Sequence, residues 1–99
     1  MLRHIVLQQW RPEVGVDDRA ATVAELRELV FSLPGVVNAV VAEDLGLADG
    51  NFDAALVVDF ADEDAWRAYQ QAPAHRAFIT ERLAPRLAGR SAVQLPLES

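Results

Sequence analysis

The N-terminal segment alternates in the way that predicts a β-strand. Successive side chains of an extended chain point to opposite faces, and here both faces carry apolar groups. One face would hold Leu2, His4, Val6, Gln8 and Trp10, and the other Arg3, Ile5, Leu7 and Gln9. We therefore predict a first strand over residues 2–10 with apolar groups on both faces.

A helical pattern follows this strand. Apolar residues recur at the spacing of one helix face, namely at Val23, Leu26, Val30 and Leu33. Asp17 or Asp18 is predicted to be the N-cap, because its carboxylate can accept a hydrogen bond from a free backbone N–H group. The segment LPG, residues 33–35, predicts the end of the helix.

Two further strands are predicted in the middle of the chain. The segment VVNAVVAED, residues 36–44, is the second strand, and FDAALVVDF, residues 52–60, is the third. They are joined by LGLADGN, which is rich in residues that tolerate turns. One face of the third strand would hold Ala54, Leu56, Val58 and Phe60.

Helix signals return after the third strand. Asp62 can cap a helix that runs through Gln70. Pro73 suits the first turn of another helix, because that position needs no N–H donor. We predict that this helix reaches about Leu87 and that Gly89 lies just beyond its end.

The segment SAVQLPLE, residues 91–98, predicts a fourth strand, in which Pro96 suits only an edge strand or a strand end. The resulting order, β-α-β-β-α-β, predicts a ferredoxin-like α+β fold. It is a four-stranded antiparallel sheet with helices on one face. Residues 1–99 are expected to form a single domain.

The second face of this sheet predicts a dimer. Two helices cover one face only, yet Ile5, Leu7 and Val57 would lie on the other. Soluble monomers rarely expose an apolar patch of that size. We therefore predict a homodimer in which two sheets pack against each other.

The composition of the chain argues against some classes of binding partner. The chain has 15 acidic residues and nine basic ones, all arginine, for a net charge of −6. The arginines are scattered, so we expect neither nucleic acid nor an anionic membrane as a partner. There is no cysteine, which fits a reducing cytoplasm. The N-terminal apolar run is too short for a signal segment or a membrane span, so we expect a soluble, cytoplasmic protein.

The segment AYQQAPAHRAF, residues 68–78, carries the candidate chemistry. His75 would be about the third residue of the helix that Pro73 opens, where the helix dipole disfavours a positive charge. A neutral imidazole can accept a proton, and Tyr69 can donate a hydrogen bond to a substrate oxygen. His75 and Tyr69 are therefore the candidate catalytic pair. In the alternative, His75 braces the turn and Tyr69 packs in the core with its hydroxyl hydrogen-bonded.

The first and third strands supply the predicted wall of the site. We expect five residues to bind a small apolar ligand, namely His4, Val6, Gln8, Leu56 and Val58. His4 can equally be a core histidine whose hydrogen bonds are satisfied. His4 and His75 show no metal-ligand spacing, and the acidic residues of 42–53 lack the spacing of a calcium loop. We therefore expect no metal and no cofactor.

Three segments, HIVL, LVVDFADEDAWRAY and YQQAPAH, together resemble the stress-responsive dimeric α+β barrel family. The resemblance implies that two ferredoxin-like protomers pair their sheets into a barrel. It places His4, Tyr69 and His75 on family positions, whereas Ala72 and Ala54 stand where relatives have histidines. Plant polyketide cyclases that resemble this fold use a histidine and a tyrosine as acid and base.

Three functions remain open on this evidence. The first is a lyase or cyclase in which His75 and Tyr69 act on a carbonyl compound. The second is a dimeric module that binds a small apolar ligand, or contributes stability under stress, without turnover. The third is a monooxygenase of the related barrels, either cofactor-free or with haem held by His4 or His75.

Overall fold

A computed structural model describes residues 1–98 of the chain. The elements are β1 (Leu2–Trp10), α1 (Val16–Ser32), β2 (Val36–Glu43), β3 (Ala54–Phe60), α2 (Glu63–Gln71), α3 (Pro73–Phe78), a π-helical turn (Ile79–Leu83), a 3-10 turn (Ala84–Arg86) and β4 (Leu87–Pro96). This order confirms the predicted βαββαβ arrangement, with α2 and α3 together forming the second helical segment. None of these helices is long and apolar enough to cross a bilayer.

The four strands form one antiparallel sheet in the order β2-β3-β1-β4. β1 is therefore central, and β4 is an edge strand. The register of β1 with β4 sets His4 opposite Gln94 and Gln8 opposite Arg90. Directly paired residues share one face of a sheet, so these four side chains belong to the same face.

The helix-facing side of the sheet carries the core. The predicted alternation of β1 is confirmed there, because His4, Val6, Gln8 and Trp10 are all buried. From α1, Val23, Leu26 and Val30 pack against this side, and Val58 and Phe60 of β3 are completely buried. Burial of each such side chain contributes roughly 1.5–3 kcal/mol, which fixes α1 over the sheet.

The N-terminus of α1 differs from the prediction. The N-cap is Gly15, which makes no side-chain cap, and the helix begins at Val16. The prediction of an aspartate cap was wrong, because Asp17 and Asp18 lie inside the first turn. There their charges still favour the helix, since its dipole is positive at this end. The cap predicted for α2 is confirmed, because the Asp62 carboxylate accepts a 2.8 Å hydrogen bond from the backbone N–H of Ala65.

The C-terminal helical segment ends at Arg86, close to the predicted end, but only Pro73–Phe78 of it is α-helical. It leaves α-helical geometry after Phe78 and tightens into the 3-10 turn that contains Pro85. Proline lacks the N–H that a continuing α-helix needs. β4 then starts at Leu87 rather than at Ser91, because β1 extends to Trp10 and pairs with this segment. Gly89 therefore lies within β4, and the prediction that it follows the helix was wrong. Pro96 ends this edge strand, as predicted.

The opposite sheet face has no helix over it within residues 1–98, and we call it the outer face. Its exposed apolar side chains are Leu7, Val40, Val93 and Leu95, which are between 37% and 58% exposed. An open hollow of about 460 Å³ lies between this face and the β2–β3 loop. Arg3 and Asp59 form an ion pair on this face, held by two hydrogen bonds of 2.8 and 3.0 Å. This face keeps the apolar character from which a sheet-to-sheet dimer was predicted.

Candidate functional site

The break between α2 and α3 brings Tyr69 and His75 together. α2 ends at Gln71, Ala72 is non-helical with ψ of 127°, and Pro73 is the first residue of α3. The two rings lie 4.4 Å apart between centroids, with 48° between their planes. An uninterrupted helix would place residues six apart about 120° apart around the axis and about 9 Å apart along it, so the proline turn creates this contact.

Tyr69 is held between His4 and His75 by aromatic packing. Its ring is 6.1 Å from that of His4 and 5.0 Å from that of Phe60, both edge to face. Edge-to-face geometry suits the quadrupoles of aromatic rings. Tyr69 is only 2% exposed, so its position is fixed by the core around it.

A small cavity of about 40 Å³ adjoins these three residues, between the helices and the sheet. Six of the residues in its wall were predicted from the sequence, namely His4, Val6, Gln8, Leu56, Tyr69 and His75. Val58 is not in the wall, because it is completely buried in the core. A cavity of this size holds roughly one to three water-sized groups, whereas drug-sized ligands occupy about 300–1,000 Å³.

Two polar atoms at this cavity have no hydrogen-bond partner. They are the hydroxyl oxygen of Tyr69 and Nδ1 of His75, both buried. A buried polar group left unpaired costs about 1–3 kcal/mol. Tyr69 thus packs in the core, but its hydroxyl lacks the protein partner that the purely structural interpretation required. Both atoms belong to residues that border the cavity, although neither atom is itself open to solvent.

Burial keeps the three titratable residues uncharged at neutral pH. Burial lowers the pKa of His75, and the positive charge of Arg90 lowers it further, while the backbone carbonyl of Gln70, which lies near the ring without forming a hydrogen bond of standard geometry to Nδ1, opposes the shift. Burial is also the largest cause for His4, whose pKa falls to about 4 with smaller effects of Arg90 and His75. Burial raises the pKa of Tyr69 to about 12. The lowered pKa of His75 agrees with the neutral imidazole expected there, although burial and Arg90 rather than the helix dipole are its causes.

The tautomer of His4 follows from its neighbours. The indole N–H of Trp66 donates to Nδ1 of His4 at 3.3 Å, and the side-chain amide of Gln94 lies 2.9 Å from the same atom. An indole nitrogen can only donate, so Nδ1 is the acceptor and the proton of the neutral ring lies on Nε2. His4 is therefore a positioned core histidine that also borders the cavity.

Sequence reasoning missed Trp66, Gln94 and Arg90. Gln94 and Arg90 reach the site only through the pairing of β1 with β4. Arg90 was left outside the fourth strand, which was predicted to begin at Ser91. Extending the alternation of β4 back to Arg90 would have placed it on the face of Gln94.

Within residues 1–98, no group of three or more histidine, cysteine, aspartate or glutamate side chains is arranged to hold a metal ion. Two acidic residues next to the β2–β3 loop instead accept hydrogen bonds from backbone N–H groups. Asp44 accepts one from the backbone of Gly46 at 2.9 Å, and Asp53 accepts one from the backbone of Trp10 at 2.8 Å.

The chain is similar to a known protein family and to several solved structures. The stress responsive A/B barrel domain family matches residues 2–96. A dimeric ferredoxin-like protein of unknown function from Thermobifida fusca YX is 43% identical, with a TM-score of 0.88 over 97% of this chain and 90% of that chain. No curated protein sequence matches significantly.

Two more distant structures share the fold. A dimeric protein of unknown function from Bacteroides fragilis is 23% identical, with a TM-score of 0.81 over 97% of this chain and 95% of that chain. A hydroxynitrile lyase from Passiflora edulis is 17% identical, with a TM-score of 0.84 over 98% of this chain and 93% of that chain. The fold, the matched length and the 43% identity agree. The chain therefore belongs to the stress responsive A/B barrel domain family.

Proposed function

We propose that the chain acts as a homodimer in which each protomer holds a small-molecule site bordered by His4, Tyr69 and His75. The relatives from Thermobifida fusca and Bacteroides fragilis are described as dimeric. The outer face supplies a suitable surface for this dimer, because contact between two such faces removes their apolar side chains from water. Packing through this face leaves the cavity free, since the cavity lies on the other side of the sheet.

The chemistry that this site supports best is proton transfer beside a carbonyl group, as in a lyase. The observation that carries the proposal is the unpaired state of Tyr69 Oη and His75 Nδ1 at one cavity. The neutral imidazole would take a proton from carbon or oxygen. The Tyr69 hydroxyl, with its pKa raised to about 12, would remain protonated and donate to the substrate oxygen. These steps use protein groups alone.

Two features set the kind of substrate. The cavity of about 40 Å³ admits only a short end of a molecule, such as a carbonyl and its neighbouring carbon. Val6 and Leu56 make part of its wall apolar, so that end is expected to carry no charge. The hydroxynitrile lyase from Passiflora edulis is an example of lyase chemistry on this fold.

Binding without turnover is the second candidate. It is favoured by the small volume of the cavity, because a site that admits a few atoms can hold a ligand end without room for reaction. In this case the ligand would pair with Tyr69 and His75 and stabilise the dimer through mass action.

With no cysteine in the chain, we place either function in the cytoplasm.

Hydrogen–deuterium exchange at carbon separates these candidates. Small ketones and aldehydes are incubated with the protein in deuterium oxide, and NMR measures the loss of the proton beside the carbonyl. We expect the wild type to accelerate exchange, and His75→Gln and Tyr69→Phe each to reduce that acceleration by about 10²-fold. Glu25→Gln, on the exposed side of α1, is the control and should leave it unchanged. Ligand-induced shifts at His75 without exchange would support binding alone. The absence of both shifts and exchange would refute the site.

A further inference from the structure

One arginine stands at the cavity without a partner. Arg90 lies on the edge strand β4, opposite Gln8, and its side chain borders the cavity together with His4 and His75. It makes no ion pair or side-chain hydrogen bond with another group of residues 1–98. Three other arginines pair with carboxylates within 3.0 Å, in the pairs Arg3 with Asp59, Arg82 with Glu25 and Arg86 with Asp18.

What distinguishes Arg90 from the other exposed arginines is its position at the cavity. The chain has 15 acidic residues and a net charge of −6, so carboxylates are abundant. None of them borders the cavity. A guanidinium at the mouth of a site whose other titratable groups are neutral attracts an anion and meets no competing carboxylate there.

The size of the cavity fixes where the anion would sit. The interior of about 40 Å³ is too small for a carboxylate together with a reacting carbonyl. Arg90 is exposed, so it can bind a carboxylate at the mouth while the uncharged end reaches inwards. A guanidinium can hold a carboxylate through two parallel hydrogen bonds, which also fixes the direction of entry.

We propose that Arg90 selects a small carboxylate-bearing carbonyl compound, binding its carboxylate at the cavity mouth while the carbonyl end reaches Tyr69 and His75. This inference rests on the proposed small-molecule site and adds the charge class of its ligand. It differs from the expectation of a wholly apolar ligand by adding a carboxylate at the mouth. Since Arg90 is on the helix-facing side of the sheet, a dimer through the outer face leaves it accessible.

A bound carboxylate has a second consequence. The titratable and charged groups that border the cavity are His4 from β1, Tyr69 from α2, His75 from α3 and Arg90 from β4. Arg90 lowers the pKa of both histidines. A carboxylate bound to it would offset this charge, so binding should raise the pKa of His75 towards its ordinary value.

The test compares pyruvate with pyruvamide, which lacks the charge but keeps the carbonyl end. NMR titration of the full chain measures the affinity of each probe and the pKa of His75. We expect pyruvate to bind at least about tenfold more tightly than pyruvamide, and Arg90→Gln to remove that difference. The control is Arg11→Gln, which removes the charge of another exposed arginine and should preserve the difference in affinity between pyruvate and pyruvamide.

The outcomes separate this inference from the function on which it rests. If both probes bind with equal affinity, or Arg90→Gln keeps the preference for pyruvate, the role of Arg90 is refuted while the small-molecule site stands. If neither probe shifts the signals of His75 or Tyr69, the site itself fails and the inference fails with it. A circular dichroism spectrum identical to the wild type shows that Arg90→Gln has folded.

Discussion

Tyr69 and His75 lie with ring centroids 4.4 Å apart, buried, and each with a polar atom that has no hydrogen-bond partner. Proteins rarely leave such atoms unpaired, because the cost is about 1–3 kcal/mol each. Both residues border one cavity, which gives a reason for the arrangement, since a ligand group or water that enters it can supply the missing partner. The pair serves either stability or a ligand, and the two roles predict different effects of substitution.

Removing the hydroxyl of Tyr69 should not weaken the fold. We expect Tyr69→Phe to change the free energy of unfolding by less than about 1 kcal/mol, because the hydroxyl makes no protein hydrogen bond. Tyr69→Ala should cost about 3–5 kcal/mol, since it empties a core position. Urea denaturation measures both. A loss above about 2 kcal/mol in Tyr69→Phe would mean that the hydroxyl is bonded within the folded protein.

The two histidines should make stability depend on pH. Each has a lowered pKa in the fold, to about 4 for His4, against an ordinary value of 6.5. Between these values the unfolded chain binds more protons, so folding stability is full above about pH 6.5 and falls as the pH drops towards 4. The Asp59 carboxyl, whose pKa is lowered by Arg3 from 3.8, acts mainly below this window.

Urea denaturation between pH 7 and pH 4.5 tests this dependence. The slope of stability against pH should be smaller in His4→Gln and His75→Gln than in the wild type, whatever their absolute stabilities. An equal slope in all three proteins would show that the histidines are not buried in their neutral form.

The neighbours of His4 should fix its tautomer. Trp66 donates to Nδ1, so long-range proton–nitrogen NMR should find the proton of His4 on Nε2 at pH 7. In Trp66→Phe this donor is lost, so the Gln94 amide is free to turn its oxygen towards the ring, and we expect a mixture of tautomers in which part of the protein carries the proton on Nδ1. A wild-type spectrum with the proton on Nδ1 would contradict the hydrogen bonding described for His4.

The outer face should hold the dimer together. Light scattering of the wild type should give about twice the 10.9 kDa mass of one chain. Leu7→Glu, on the outer face, should give monomers or unfolded chain, because sheet packing would bury an unpaired carboxylate. Val16→Glu is the matched control, since Val16 is 81% exposed on α1 and should leave the dimer intact. A wild-type mass of one chain at micromolar concentration would refute the dimer.

The sequence predicted the sheet well because local patterns determine it. Alternation in β1 identified the face of His4, Val6 and Gln8, and the capping carboxylate of Asp62 located the start of α2. Pro73 likewise located the turn on which the pairing of Tyr69 with His75 depends. Each of these signals acts within a few residues, so each can be read without a partner strand.

The missing parts of the site depend on long-range pairing. Arg90 and Gln94 reach it through the register of β4 with β1, and no local pattern encodes that register. β4 starts earlier than predicted because β1 extends to Trp10, and Trp10 pairs with Leu87 across the two strands. The volume of the cavity depends on side-chain packing from several elements, so the sequence could predict a pocket but not its small size.

The NMR titration of His75 tests the central claim most directly. The chain has two histidines, so two sets of ring signals appear, and His75→Gln assigns them by removing one. We expect the wild-type His75 to titrate below its ordinary pKa of 6.5 and His4 to titrate near 4. A pKa at or above 6.5 for His75 would mean a solvated or charge-paired imidazole, and would contradict a buried neutral base poised beside Tyr69.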